Sequence, residues 1–170
     1  MSDKYLPLGN ATASDIRDLK QPGLLLPMRA DDPTLLVTKW DEEMYGVMLT
    51  GVHAFVHFPI TIRSSQIGLF LPQAEILIDF SSRSSSVSLE GVPGTLVLQQ
   101  NRLSAISNPV GEQFADPDLV PLWQNVAGGS DAAKVAFTRW GIGIRNGEGF
   151  HALWERQQQA KSTVAFFEGA

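Results

Sequence analysis

The sequence predicts an α+β fold. An antiparallel sheet of six to eight strands over residues 34–107 would pack against C-terminal helices over 116–168, all within one domain of 170 residues. Three observations support this. Apolar residues alternate with period two through the middle of the chain, the spacing of a half-buried strand. The breaks between those segments are short and rich in turn residues, which favours antiparallel neighbours because parallel strands need long crossovers. Beyond Pro109 the pattern changes to stretches opened by capping residues and closed by glycine, and strands followed by helices point to α+β rather than α/β.

Residues 1–33 read as an arm with one short helix. Ser14 can cap Asp15–Lys20, with an acid in the first turn and a base in the last, as the helix dipole favours. Pro22-Gly23, Pro27 and Pro33 then interrupt the chain. Strands are expected at 34–40, 44–50, 52–63, 74–80, 86–90, 95–100 and 103–107, with a short one at 68–72. Gly91-Val92-Pro93-Gly94 supplies one turn, and Gln100-Asn101-Arg102 leaves room only for a tight one. Asp116-Pro117-Asp118 opens the first expected C-terminal helix and Gly128-Gly129 closes it. Ser130 caps a second, with Ala133, Ala136, Phe137 and Trp140 on one stripe. Residues 150–167 suit an amphipathic helix better than the rival hairpin of FHALWER against STVAFFE. The tryptophans Trp123, Trp140 and Trp154 would then cover the sheet from the helical side.

Composition excludes several functions. The chain has 13 Lys and Arg against 18 Asp and Glu, a net charge of −5. The basic residues are scattered, so the footprint that nucleic acid or anionic lipid requires is missing. With no cysteine, disulfides, thiolate chemistry and Cys-ligated metals are ruled out. No apolar run approaches the ~20 residues that span a bilayer, and the N-terminus lacks the pattern of a secretory leader. A soluble cytoplasmic protein that binds neither membrane nor nucleic acid is expected. Charged residues make up 18% of the chain, below the usual ~25%. The resulting neutral surface fits a protein partner or self-association.

Candidate site residues centre on the segment 52–63. Its even positions are all apolar, and its odd positions include His53, Phe55, His57 and Arg63. Two histidines four apart on a strand are roughly 13 Å apart, too far to share a zinc. No metal or other cofactor is expected. Either histidine could serve as a base if a carboxylate oriented it, and Asp79 or Glu75 on the neighbouring strand could do so. Pro59 removes a ladder donor, which suggests an edge strand available for docking through Phe55. The tract GIGIRNGEG lacks the spacing of a phosphate loop and reads as a turn or hairpin loop.

Two functions follow from these residues. The first is a non-catalytic protein working through protein–protein contacts, as an assembly subunit, adaptor or inhibitor-like partner. The alternative is a small-molecule binder or enzyme with a pocket between sheet and helices, using His53, His57 and Asp79.

Overall fold

The computed structural model describes residues 11–72, 74–84, 91–111, 116–125, 134–147 and 149–156. Within them the chain is nearly all β, with no α-helix. The strands are β1 (Thr12–Asp15), β2 (Gly23–Pro27), β3 (Leu35–Trp40), β4 (Glu43–Met48), β5 (Val56–Pro59), β6 (Ile67–Leu71), β7 (Glu75–Ile78), β8 (Arg83–Ser84), β9 (Leu96–Gln99), β10 (Arg102–Pro109), β11 (Asp118–Asn125), β12 (Val135–Phe137), β13 (Trp140–Asn146) and β14 (Gly149–Arg156). Eleven form a sheet ordered β1-β6-β2-β3-β4-β5-β10-β9-β12-β8, with β11 also paired to β10. The other three form a sheet ordered β14-β13-β7.

The α+β expectation is therefore corrected to a nearly all-β architecture without C-terminal helices. Residues 118–125 are a strand because Val120 and Leu122 are buried while Leu119 is exposed. That is period two, and Pro121 would in any case have cost a helix interior about 3 kcal/mol. In β13, Trp140, Ile142 and Ile144 are buried and alternate with Gly141, Gly143 and Arg145. FHALWER is indeed a strand, but it pairs with β13, whereas residues 157–167 lie outside the described residues. So do 126–133, the start of the second expected helix, and the strand expected at 86–90. The N-terminal helix reduces to one 3-10 turn, Ile16–Asp18, whose cap is Asp15 rather than Ser14.

Most of the expected strands before Pro109 are present, and their turns have a clear local cause. Asp41 and Glu42 both adopt positive φ between β3 and β4, as do Gln100 and Asn101 between β9 and β10. Two such residues twist a two-residue hairpin to match its strands. Among the described residues pairing is antiparallel with one exception, the parallel contact of Asn108 and Pro109 in β10 with Val56 and His57 in β5.

The expected strand 52–63 shrinks to Val56–Pro59. Residues 52–55 turn, closed by Ala54 N–H to Gly51 O at 3.2 Å and Val56 N–H to His53 O at 3.2 Å, and Ile60–Ile62 is a 3-10 turn. Its faces are also reassigned. Val52 is 96% exposed and Ile62 63%, whereas His57 is only 4% exposed. Nor is β5 an edge strand: it lies between β4 and β10, and Pro59 opposes Tyr45 just past the end of the β10 ladder.

Two apolar clusters flank the large sheet. Leu25, Leu35, Val37, Phe58 and Phe70 face Ile16, Leu19 and Ile60 from the 3-10 segments. Leu24, Leu36 and Val47 face the opposite way, toward Leu96, Leu103, Val120, Ile76, Trp140 and Ile142, so that the second core joins both sheets. Burial on both faces explains the unbroken apolar runs of β2 and β3. Each fully buried Leu or Ile contributes about 1.5–3 kcal/mol. No helix among the described residues is long and apolar enough to cross a membrane.

Candidate functional site

Two groups of polar residues stand out, and Phe55 lies between them. The first surrounds His57. Its Nδ1 is 3.1 Å from Ser107 Oγ, and its Nε2 is 3.3 Å from Asp118 Oδ2. The Ser107 hydroxyl also lies 2.9 Å from Phe55 O. The rings of Trp40 and Tyr45 pack on the imidazole at 5.6 and 6.1 Å. The parallel pairing of β5 with β10 and the antiparallel pairing of β10 with β11 bring these groups together.

The electrostatics favour a neutral imidazole. Burial pushes the His57 pKa below its ordinary value, and the Asp118 carboxylate opposes this only in part. Desolvation likewise raises the Tyr45 phenol, helped by Glu43 and Asp41. Ser, His and Asp in one series suggest a hydrolytic triad, yet the geometry argues against it. Ser107 is 0% exposed, so no substrate carbonyl reaches its oxygen, and a nucleophile must be accessible.

The second group lines a cleft of about 580 Å³ on the three-stranded sheet. Leu77, Gly141 and Glu155 sit side by side across β7, β13 and β14. Directly opposed residues share a face, and the central one has no side chain, which leaves a depression between Leu77 and Glu155. Asp79 and Arg139 close one end, whereas Trp140 and Arg156, opposed to each other in the next row, direct their side chains to the opposite face, where Trp140 is buried. Asp79 Oδ2 is 3.3 Å from Arg139 Nη2. The Asp79 carboxyl is held below its usual range chiefly by the Ser81 hydroxyl and N–H, with Arg139 adding a smaller effect. Arg139 Nε is buried without a hydrogen-bond partner among the described residues.

Arg156 has no carboxylate within 4.0 Å among the described residues. Its guanidinium donates to Thr138 O at 2.6 Å and to Pro93 O at 3.4 Å, and it lies 5.4 Å from the centroid of the Phe55 ring. Burial lowers its pKa, the cost of holding a cation half out of water. Gly94 makes the arrangement possible. At φ +89° it carries the chain past Phe55 and Arg156, and a Cβ there would come within 2.5 Å of the Phe55 ring and 2.6 Å of Arg156 Nε. Its carbonyl accepts from Trp140 Nε1 at 2.8 Å.

The five residues singled out in the sequence are thus dispersed. His57 and Phe55 meet through Ser107, and Asp79 lies in the cleft. His53 is exposed in the turn before β5. Arg63 follows the second 3-10 turn with its guanidinium 5.1 Å over the Phe58 ring. The carboxylate beside His57 is Asp118, since Asp79 pairs with Arg139 and Glu75 with Arg145. Ser107, Asp118, Arg139 and Arg156 escaped the sequence reading. Period-two alternation through 140–144 would have placed Trp140, but nothing local marks the arginines. Among the described residues, no group of three or more His, Asp or Glu is placed to hold a metal ion.

A family model described as "Uncharacterised protein y4lG" matches residues 13–163. The chain belongs to the y4lG family. A relative from Sinorhizobium fredii (strain NBRC 101917 / NGR234), "Uncharacterized protein y4lG", is 28% identical over 144 residues, covering 83% of this chain and 88% of that protein. No solved structure matches. The stretch matched by the y4lG family model contains every residue of the His57 group and of the cleft.

Proposed function

We propose that the protein is a non-catalytic binding protein whose cleft on β7, β13 and β14 takes a small organic anion, a carboxylate with an apolar body. The observation that supports this most is Arg139, a cation that closes one end of the cleft with a 42% exposed side chain. A guanidinium has five N–H donors in a planar fork, and Asp79 and Ser81 both meet Arg139 at Nη2, which uses only part of that capacity. A carboxylate matches the fork. Leu77, 39% exposed, provides apolar wall. The reading takes the protein as cytoplasmic, which its cysteine-free composition permits.

Ligand-observed NMR with a panel of aliphatic and aromatic monocarboxylates and their neutral amides tests the reading. Carboxylates should bind, the amides should not, and Arg139→Gln should abolish the signal. A panel that fails to bind, or binds equally to that variant, contradicts it. A second reading, a protein partner at the same place, is favoured by the 69% exposure of Phe80 beside the cleft. Phe80→Ser would then shift the native mass from a complex to a monomer.

A further inference from the structure

On the reading that the cleft takes a carboxylate, which this inference rests on, we propose that the ligand is a zwitterion: an α-amino acid with an aliphatic side chain, its ammonium group held by Glu155. The charges on this face of the three-stranded sheet do not balance. Arg139 brings one positive charge, and Asp79 and Glu155 bring two negative ones. A plain monocarboxylate would add a further negative charge to a cleft that is already negative. An α-amino acid adds none, and its ammonium group offsets the second carboxylate.

Strand register sets where each charge stands. Leu77 and Glu155 flank Gly141 from β7 and β14, roughly 9.5 Å apart at two strand spacings. A Cβ on Gly141 would lie 3.2 Å from Glu155 Cγ, so the stem of Glu155 leans over the bare backbone of the cleft floor. Arg139 comes two residues before Gly141 and is therefore diagonal to Glu155, at a Cα separation of about 7–8 Å. The two do not pair with each other. Among the described residues Arg139 meets the carboxylate of Asp79, and Glu155 makes no ion pair or hydrogen bond.

Asp79 is already engaged. Its Oδ1 accepts from Ser81 N–H at 2.9 Å and from Ser81 Oγ at 2.6 Å, and its Oδ2 faces Arg139 Nη2 at 3.3 Å. Glu155 is exposed, and it is the carboxylate of the cleft left to accept from an ammonium group. The α-carboxylate takes the Nη1 side of the Arg139 fork, since Asp79 and Ser81 occupy Nη2. One carbon separates the two charged groups of an α-amino acid, which suits a cation and an anion carried by diagonal neighbours. The aliphatic side chain then falls on Leu77 at the opposite wall.

The test is calorimetric titration of the full chain with L-leucine and with isocaproate, the same carbon skeleton without the ammonium group. Leucine should bind about twofold to fivefold more tightly, the range for one ion pair open to water. Glu155→Gln should bring the two affinities together. Should that variant fail to fold, the comparison of the two ligands in the unaltered protein decides alone. Leucine that binds no more tightly than isocaproate, or a preference that survives Glu155→Gln, overturns the zwitterion and keeps the cleft reading. No binding of either ligand overturns both.

Discussion

Gln124 completes the backbone hydrogen bonding of Ile76 as a neighbouring strand would. Its Oε1 accepts from Ile76 N–H at 2.8 Å and its Nε2 donates to Ile76 O at 3.3 Å. Among the described residues β7 pairs only with β13, so its other side would offer donors and acceptors to a passing strand. One amide side chain covers that opening, and Trp123 Nε1, donating to Ala74 O at 3.2 Å, anchors the residue just before β7.

Gln124→Glu should therefore destabilise the protein more than its size suggests. The carboxylate can still accept from Ile76 N–H but repels Ile76 O, and a part-buried group left unpaired costs about 1–3 kcal/mol. Urea unfolding measures this, and a loss below about 0.5 kcal/mol, the ordinary range for surface changes, would mean that β7 does not depend on the amide.

Acid should weaken the fold through His57. Burial holds its folded-state pKa below the unfolded value of about 6.5, so the native state prefers the neutral form. That preference contributes in full above the unfolded pKa and is lost as pH falls through it toward the folded value. The urea midpoint should drop between pH 8 and 5, and His57→Gln should flatten the slope. His53→Ala, an exposed change, should leave stability within about 0.5 kcal/mol of the parent. An unaltered slope in His57→Gln would contradict the assignment.

Gly143 tests the hairpin that carries the cleft. A Cβ there would sit 1.9 Å from the carbonyl oxygen of His151, a backbone atom that cannot swing aside, next to the bulge between Ile142 and Gly143. Gly143→Ala should cost about 1–3 kcal/mol or more as an overpacked site. Gly94→Ala should cost more than about 1 kcal/mol from its positive φ alone, and more again because its Cβ would meet the Phe55 ring and Arg156 Nε. Equal, small effects in both variants would count against the packing described.

Much of the large sheet was legible in the sequence because its signals are local. The apolar run in 35–37, the alternation in 103–107 and the residue pairs at 41–42 and 100–101 mark strands and tight turns without outside help. The C-terminal strands were missed for a different reason. Asp116-Pro117 and a following glycine pair look like helix punctuation, although Pro121 is incompatible with a helix interior. Alternating Trp140, Ile142 and Ile144 was hidden by glycines that resemble a loop. In 52–63 the alternation was real but misleading, because one positive φ at Phe55 breaks the strand and turns His57 inward. The cleft was least visible. Asp79 and Arg139 are far apart in sequence and meet only through the pairing of β7 with β13, which no local pattern encodes.

An anion held in the cleft by Arg139 is tested most directly by a crystal structure of the protein soaked with benzoate. The carboxylate is expected in the cleft lined by Leu77, Gly141 and Glu155, with its oxygens within about 3 Å of the Arg139 guanidinium and the ring against Leu77. Benzoate bound elsewhere, or an Arg139 turned away from a ligand in that cleft, would contradict it.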